Sequence, residues 1–249
     1  MALTPLGWPA RRRPGDVVVL LYHRVGPGSS EIELPALMFE RHLEDLVASE
    51  RLLSLDDVVV GDPAGGVVVT FDDGYRDFYD EVLPLLVKHR VPASLYLATG
   101  LVAKGSRTPP DALTWRQLRE AVGTGLVTVG SHTHGHTNLS HVNQLDAETE
   151  MRRSKQMIED NLEVECRHFA YPWAVGSPTA DRAARELFRT VALDAWRTNR
   201  AGRIDLYRLG RVPILRSDGR FFFRRKVRGA LDSEGWFYRS LGRGPWGRT

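Results

Sequence analysis

Cysteine and long apolar runs are what this 249-residue chain has least of. Its one cysteine, Cys166, excludes an internal disulfide framework and leaves the redox compartment undecided. No run approaches the roughly 18 apolar residues of a membrane-spanning helix, and residues 1–9 lack the positive charge and apolar stretch of a signal peptide. With 42% hydrophobic and 26% charged residues, the composition is that of a globular protein. From these features we expect a soluble, cytoplasmic protein.

The basic charge of the chain is concentrated at its C-terminus. The net charge is +3, but residues 216–249 carry nine Lys or Arg against three acidic residues, a net charge of +6. Phenylalanines at 221–223 precede the basic residues 224–226, and aromatic residues follow at 236–238. The favoured interpretation is a final helix that packs its aromatics on the core and leaves its arginines in water. The alternative is contact with an anionic membrane surface or a phosphate-bearing substrate. No nucleic-acid binding is expected, because no recognisable binding motif accompanies this charge.

Short β-branched runs alternate with amphipathic stretches along the whole chain. The predicted strands are 16–23, 66–72, 93–98, 127–131, 167–171, 190–193 and 211–215. The predicted helices are 36–50, 78–89, 114–122, 146–162 and 179–188. Strands separated by helices predict a parallel sheet built from βαβ units. We find no internal repeat or linker, so residues 1–249 are expected to form one domain, with a core from about 16 to 215 and a basic aromatic tail from 216 to 249.

Polar side chains at the predicted strand ends distinguish a closed barrel from an open sheet. These residues are His23, Asp72 with Asp73, His132, Tyr171 and Asp194. In a barrel of parallel strands, the C-terminal ends share one face, and that face holds the active site. An open sheet confines its site to one switch point. Polar residues at several strand ends therefore favour a barrel.

Two adjacent carboxylates end the second predicted strand, within Thr-Phe-Asp-Asp-Gly-Tyr at 70–75. Neighbouring side chains at a strand end diverge, so Asp72 and Asp73 are expected to take different roles. Gly74 allows the backbone to turn sharply beside a ligand. Taken alone, Asp-Asp-Gly is also compatible with an ordinary turn.

Two imidazoles four residues apart follow the apolar run 127–129, within Ser-His-Thr-His-Gly-His at 131–136. One helical turn would place His132 and His136 on the same side, with His134 pointing away. One carboxylate and two imidazoles can hold zinc and leave a position open for water, and a second carboxylate can accept the proton of that water. Solvated histidines in a polar turn are the alternative. The coincidence of both motifs after apolar strands favours a metal hydrolase.

These motifs resemble those of the polysaccharide deacetylase family, also called the NodB-homology domain or carbohydrate esterase family 4. The resemblance rests on residues 70–75, 131–140, 169–173 (Phe-Ala-Tyr-Pro-Trp) and 21–25 (Leu-Tyr-His-Arg-Val). It implies an α/β fold, a distorted (β/α)7 barrel of parallel strands. It further implies the removal of N-acetyl groups from an amino sugar or an N-acetylated glycan, with a divalent metal, zinc, as cofactor.

The resemblance also implies roles for individual residues. Asp73, His132 and His136 would bind the metal, and Asp72 would be the general base. The backbone N–H of Tyr75 would help to hold the oxyanion.

The third motif would contribute the binding surface for the substrate. Here the resemblance implies that Tyr171 and Pro172, with Trp173 beside them, wall the acetyl pocket.

Two features of the family are missing. Residues 169–170 are Phe-Ala where the family carries an arginine, and Arg167 is a weak substitute because it alternates differently along the strand. The late Leu-x-His motif, which supplies the general acid, is absent because no histidine follows His168. His23 is the best remaining candidate for the acid, with Asp194 as a carboxylate partner that would keep it charged. Alternatively, His23 only fixes the loop after its strand.

Two other functions remain open from the sequence. The chain could be a C–N hydrolase acting on a small non-carbohydrate amide, since the same barrel and metal suit that reaction. It could also be a non-catalytic glycan-binding or scaffold relative. For the deacetylase, the absence of a signal peptide favours an intracellular sugar precursor or metabolite over an external polymer.

Overall fold

Seven predicted strands and five predicted helices are all present, with bounds within two residues of those expected when the π-helical segment Phe78–Val82 is counted with the helix that follows it. The structure, a computed structural model, describes residues 12–61, 64–103, 112–194 and 196–230. The strands are β1 (Val17–Tyr22), β2 (Arg24–Val25), β3 (Glu33–Leu34), β4 (Leu52–Leu53), β5 (Gly66–Phe71), β6 (Ala93–Leu97), β7 (Val127–Ser131), β8 (His168–Ala170), β9 (Thr190–Asp194) and β10 (Leu209–Pro213). The helices are α1 (Ala36–Ser49), α2 (Leu55–Val60), α3 (Leu83–His89), α4 (Thr99–Ala103), α5 (Trp115–Gly123), α6 (Gln144–Leu162), α7 (Pro178–Leu187) and α8 (Gly219–Val227). A π-helical segment, Phe78–Val82, leads into α3.

Seven parallel strands close into a barrel, in the order β1, β10, β9, β8, β7, β6 and β5. The closing pair is β5 with β1, in register from Val17 opposite Gly66 to Tyr22 opposite Phe71. The short β4 pairs with the first half of β5. The predicted barrel is confirmed, and its helices follow the strands around the outside as βαβ units require.

Alternation along each strand divides the core into two layers. On β1, Val18 and Leu20 belong to the cluster that packs against the helices. Val17 and Val19 belong to a second cluster, which fills the interior of the barrel below its C-terminal end and includes small residues such as Ala170. Because successive side chains point to opposite faces, the next inward position on β1 is Leu21, at the upper end of the barrel. The apolar filling thus ends where the candidate site begins.

Helix α8 packs on α1 through one side only. Phe223 is buried and stacks on His42 with ring centroids 3.7 Å apart, as the sequence predicted for this helix. Phe221 and Phe222 instead are 59% and 45% exposed, so for them the prediction of packing on the core is wrong. The aromatic residues at 236–238 lie outside the described residues. Among the described helices, none combines the length and the apolar character needed to cross a bilayer.

Candidate active site

The C-terminal end of the barrel opens into a cavity of about 170 Å³. Its lining residues are Leu21, His23, Ile32, Asp72, Asp73, Tyr75, His132, His136, Trp173 and Arg211. They come from β1 and β10 and from the segments that follow β1, β2, β5, β7 and β8. The barrel therefore brings together the two carboxylates and the two imidazoles that the sequence singled out.

A tight turn after β5 separates the two carboxylates. Asp72 is still in the sheet, because its N–H donates to the carbonyl of Tyr22 at 3.1 Å. Asp73 and Gly74 then take left-handed backbone angles, with φ of 74° and 93°. A Cβ on Gly74 would lie 2.3 Å from a methyl carbon of Leu97, so both the angle and the space require glycine there. Asp73 has no such freedom, and its left-handed backbone is strained.

The histidine motif is not a helical turn, so that part of the sequence prediction is wrong. The N–H of His132 donates to the carbonyl of Leu97 at 3.0 Å, so the chain is still paired with β6 where the helix would have to begin. A loop follows, in which Thr133 and His136 have positive φ of 64° and 55°. The rings of His132 and His136 nevertheless converge, with centroids 5.0 Å apart. His134 turns away, as predicted, and its Nδ1 lies 3.0 Å from the hydroxyl of Thr99.

The tautomer of His132 follows from its hydrogen bond. Its Nδ1 lies 2.8 Å from the carbonyl oxygen of Ala170, which can only accept, so Nδ1 carries the proton. The Nε2 lone pair then faces the cavity, which is the orientation of a metal ligand. Burial lowers the pKa of His132 to about 4, against the opposing charge of Asp72, so the ring is neutral near pH 7.

Asp73 lies between the two imidazoles with one oxygen unsatisfied. Its Oδ1 is 3.1 Å from Nε2 of His136 and 3.6 Å from Nε2 of His132. This oxygen is buried without a hydrogen bond of acceptable geometry. Burial raises the pKa of Asp73, but the close approach of His136 and the charges of the imidazoles of His23 and His132 outweigh it and hold the pKa well below its ordinary value. Three ligand atoms within 4.8 Å of one another, one of them a buried anionic oxygen, fit a divalent cation.

The other carboxylate is held by an arginine that the sequence interpretation missed. Arg211, on β10, donates from both terminal nitrogens to the two oxygens of Asp72, at 2.6 Å and 2.8 Å. The side chains are 1% and 3% exposed. Burial raises the pKa of Asp72, yet the guanidinium of Arg211 outweighs it, so the pKa lies below its ordinary value. Asp72 is therefore an ionised carboxylate that is fixed in orientation. It is distinct from the three candidate metal ligands Asp73, His132 and His136, which we call the ligand group.

Arg167, the weak substitute considered from the sequence, lies elsewhere. Its guanidinium pairs with Asp56 at 3.1 Å and Glu165 at 3.6 Å, beyond the N-terminal end of β8. A signal for Arg211 was present in the sequence, because it is the only charged residue within the apolar segment 209–215. A charge in the middle of a buried strand requires a partner.

Tyr75 offers two donors to the cavity. Burial, followed by the charge of Asp73 and a hydrogen bond to it, raises the pKa of the Tyr75 phenol, which stays protonated. The guanidinium of Arg24 lies 5.0 Å from the centre of the ring and also pairs with Asp77 at 2.9 Å, which holds the ring in place. No backbone acceptor for the N–H of Tyr75 is found in the described part of the chain, so this group is available to a ligand oxygen.

His23 reaches the cavity as predicted from its place at the end of β1. Burial lowers its pKa, although the charges of Asp73 and Asp72 oppose the effect, so the imidazole is neutral near pH 7. Asp194 ends β9 opposite Arg211. Its side chain is not among those described, and its pairing with His23 stays a prediction.

Of the third motif, only Trp173 lines the cavity. Its indole N–H donates to the carbonyl of His136 at 3.2 Å, and its ring centroid lies 5.3 Å from that of His136. Trp173 also has a left-handed backbone, with φ of 60°. Tyr171 is 1% exposed, and its hydroxyl donates to Asp181 at 2.8 Å. Neither Tyr171 nor Pro172 lines the cavity, and their contact with substrate stays a prediction.

Comparison with known proteins now identifies the class. The sequence profile described as polysaccharide deacetylase matches residues 60–192, more than half of the chain. The chain belongs to the polysaccharide deacetylase family.

Relatives of known sequence match only part of the chain. YxkH of Bacillus subtilis (strain 168), named for the same family, is 26% identical over 174 residues, which span 66% of this chain and 59% of YxkH. A poly-beta-1,6-N-acetyl-D-glucosamine N-deacetylase of Staphylococcus aureus (strain MRSA252) is 26% identical over 121 residues, 45% of this chain and 42% of that protein. The chain thus spans about half the length of these relatives.

Solved structures show the same barrel over most of the chain. IcaB from Ammonifex degensii has a TM-score of 0.74 at 26% identity, covering 90% of this chain and 98% of that chain. The deacetylase PplD of Streptococcus pyogenes, in complex with acetate, has a TM-score of 0.78 at 23% identity, covering 86% and 99%. At this identity, the likeness to PplD shows the fold.

Proposed function

We propose that this protein is a metal-dependent hydrolase that removes N-acetyl groups from an amino sugar or from an N-acetylated glycan or glycoconjugate. One observation carries the proposal: an ionised carboxylate, Asp72, is fixed by Arg211 beside a separate group of three metal ligands. Membership of the polysaccharide deacetylase family supports a carbohydrate substrate. The name of the Staphylococcus aureus relative supports N-acetylglucosamine as the sugar.

The ligand group suits zinc. Asp73, His132 and His136 would hold the ion, because one carboxylate and two imidazoles make a three-ligand set that leaves a position open. Such an ion polarises an amide carbonyl and lowers the pKa of water bound to it.

The protein's own residues supply the remaining steps. Asp72 accepts the proton of the attacking water, and Arg211 keeps the carboxylate ionised and correctly oriented for that transfer. The N–H of Tyr75 donates to the oxyanion that develops on the acetyl carbonyl. The exposed indole of Trp173, at the mouth of the cavity, offers a flat apolar surface to a sugar ring. The cytoplasmic location and the absence of nucleic-acid binding stay predictions from the sequence.

Metal content tests the ligand assignment. The purified protein is expected to hold about one zinc ion, with ligand bonds of roughly 2.0–2.2 Å. Replacing His132 or His136 by Ala should lower the zinc content sharply, measured by elemental analysis, because each removes one of three ligands. His141→Ala is the matched control, since His141 is exposed and lies in the same segment. Full zinc occupancy in both ligand variants would show that the site is assigned wrongly.

Acetate release tests the reaction itself. The zinc-loaded protein should release acetate from oligomers of N-acetylglucosamine, and oligomers of different linkage and simple linear and cyclic amides form the comparison. Release from the small amides alone would contradict the carbohydrate substrate. Zinc binding without turnover of any member of the panel would contradict catalysis and favour a binding protein.

We propose His23 as the group that protonates the leaving amine. It lines the cavity, and among the described histidines outside the ligand group it is the one at the barrel rim facing Asp72. A general acid must be protonated, so turnover should fall as the pH rises through the pKa of His23. Because that pKa is lowered, this alkaline limb of the pH–rate profile should lie below the usual histidine value of about 6.5. His23→Gln should lose this alkaline limb and most of the turnover at unchanged zinc content. Unchanged turnover in this variant would assign His23 to fixing the loop.

A further inference from the structure

Helix α8 presents two aromatic side chains to water among arginines. Phe221 and Phe222 pack edge to face, with ring centroids 5.4 Å apart, while remaining largely exposed. Phe221 lines a shallow surface with Arg220, Arg224, Arg225 and Arg228, and Phe222 adjoins it through its contact with Phe221; we call this whole surface the α8 face. Adjacent exposed aromatics on a folded protein indicate an interaction site, whereas singly scattered ones do not.

The α8 face is preformed, because the opposite side of the helix is firmly attached. Phe223 fills the inward position against His42. The buried ammonium of Lys226 pairs with Asp218 at 2.7 Å and donates to the carbonyl of Pro213 at 3.0 Å. The helix cannot rotate Phe221 or Phe222 inward without exposing these groups.

The charge of the α8 face is positive. Helix α8 contains no acidic residue. Arg220 and Arg224 both donate to the two oxygens of Asp45, so a single carboxylate is shared by two guanidinium groups. Arg225 and Arg228 add two further charges, and Arg225 lies 5.8 Å from the ring of Phe221. Glu44, near Arg220, and Glu50, near Arg228, offset only part of this charge.

We propose that the α8 face binds the surface of an anionic phospholipid bilayer. The two phenyl rings would enter the boundary of the acyl chains while the guanidinium groups bind lipid phosphates, the arrangement of an interfacial amphipathic helix. Charge complementarity favours a bilayer rich in phosphate over a second copy of this chain, whose own α8 face would repel it. The sequence beyond the helix is also basic and aromatic, with three arginines, two acidic residues and four aromatic residues in 231–249.

Docking at this face would orient the catalytic cavity. The segment before α8 is bonded to the loop that closes one side of the cavity, since the N–H of Arg216 donates to the carbonyl of Glu31 at 2.8 Å. Ile32, the next residue, lines the cavity. A protein bound through α8 would therefore hold its cavity in a fixed orientation relative to the bilayer. The binding itself does not depend on the proposed function.

Vesicle flotation with the full chain tests the proposal. The protein should float with vesicles of phosphatidylcholine and phosphatidylglycerol and not with phosphatidylcholine alone. Arg225→Gln with Arg228→Gln should weaken partitioning about 25-fold, since each arginine near an anionic surface contributes about fivefold. Phe221→Ser with Phe222→Ser should weaken it at least about tenfold through lost apolar burial.

Matched controls come from helix α6, on another side of the barrel. Leu145→Ser removes an apolar side chain that is 72% exposed, and Arg153→Gln removes an exposed arginine. Both should partition like the unaltered protein, and all variants should melt at the same temperature. Failure of the full chain to bind anionic vesicles would overturn the proposal and leave residues 231–249 or a second copy as the occupant. Full binding by both α8 variants would overturn it too, and would locate the binding outside this face.

Discussion

Asp72→Asn is expected to lower turnover by roughly 10²–10⁴ while the zinc content stays nearly unchanged. The amide keeps the shape of the carboxylate but cannot take a proton from water. Asp72 also lies outside the ligand group, because both of its oxygens accept hydrogen bonds from Arg211. Asp73→Asn should have the opposite result, a large loss of zinc, because it removes the anionic ligand.

Each of these two variants is a control for the other, because the same replacement of a carboxylate by an amide is made at adjacent residues. Asp181→Asn adds a control outside the cavity, where the carboxylate accepts from Tyr171. Turnover at saturating zinc and zinc content by elemental analysis are the two measurements. Loss of zinc from Asp72→Asn, with full zinc in Asp73→Asn, would reverse the two roles.

Arg211→Met is expected to cost about 3–5 kcal/mol of the free energy of unfolding, because it leaves the charge of Asp72 buried without its partner. It should also change the pH dependence of turnover. With Arg211 present, the pKa of Asp72 is lowered; without it, burial dominates and the pKa rises. A base works only when ionised, so activity is lost as the pH falls through this raised pKa. The acidic limb of the pH–rate profile should therefore move to higher pH.

Arg211→Lys should give an intermediate result, because an ammonium group keeps the charge but cannot reproduce the two parallel hydrogen bonds. Arg208→Met is the control for a partly exposed pair. Arg208 binds Asp181 at 3.2 Å with 49% of its side chain exposed, and its loss should cost at most about 1 kcal/mol. An acidic limb that does not move in Arg211→Met, measured at full zinc occupancy, would show that Asp72 is not the base.

The sequence predicted the barrel because local patterns carried the necessary information. Periodic apolar runs located the strands, and the polar residues at their ends indicated a shared face. The ligand group was predictable for the same reason, since Asp73 and the two imidazoles directly follow apolar strands. The helical turn was predicted wrongly, because spacing alone does not show that His132 is still paired with β6.

Contacts between distant parts of the chain were beyond the reach of such patterns. Arg211 meets Asp72 across 139 residues, and only closure of the barrel brings β10 and β5 to either side of β1. The interpretation of the tail failed for a related reason. The inward side of α8 packs against His42, on a helix far earlier in the chain. Phe223 is therefore buried, whereas Phe221 and Phe222 are exposed.

Three residues of the cavity, from three separate loops, have left-handed backbones although none is glycine: Asp73, His136 and Trp173. Each such residue costs about 1–2 kcal/mol relative to an unstrained backbone. Glycine would relieve the strain at all three positions and would remove a metal ligand or the indole from the cavity. At these three positions, substitutions that would increase the stability of the fold would remove side chains that the cavity needs. A chain selected only for stability would therefore be free to lose these side chains.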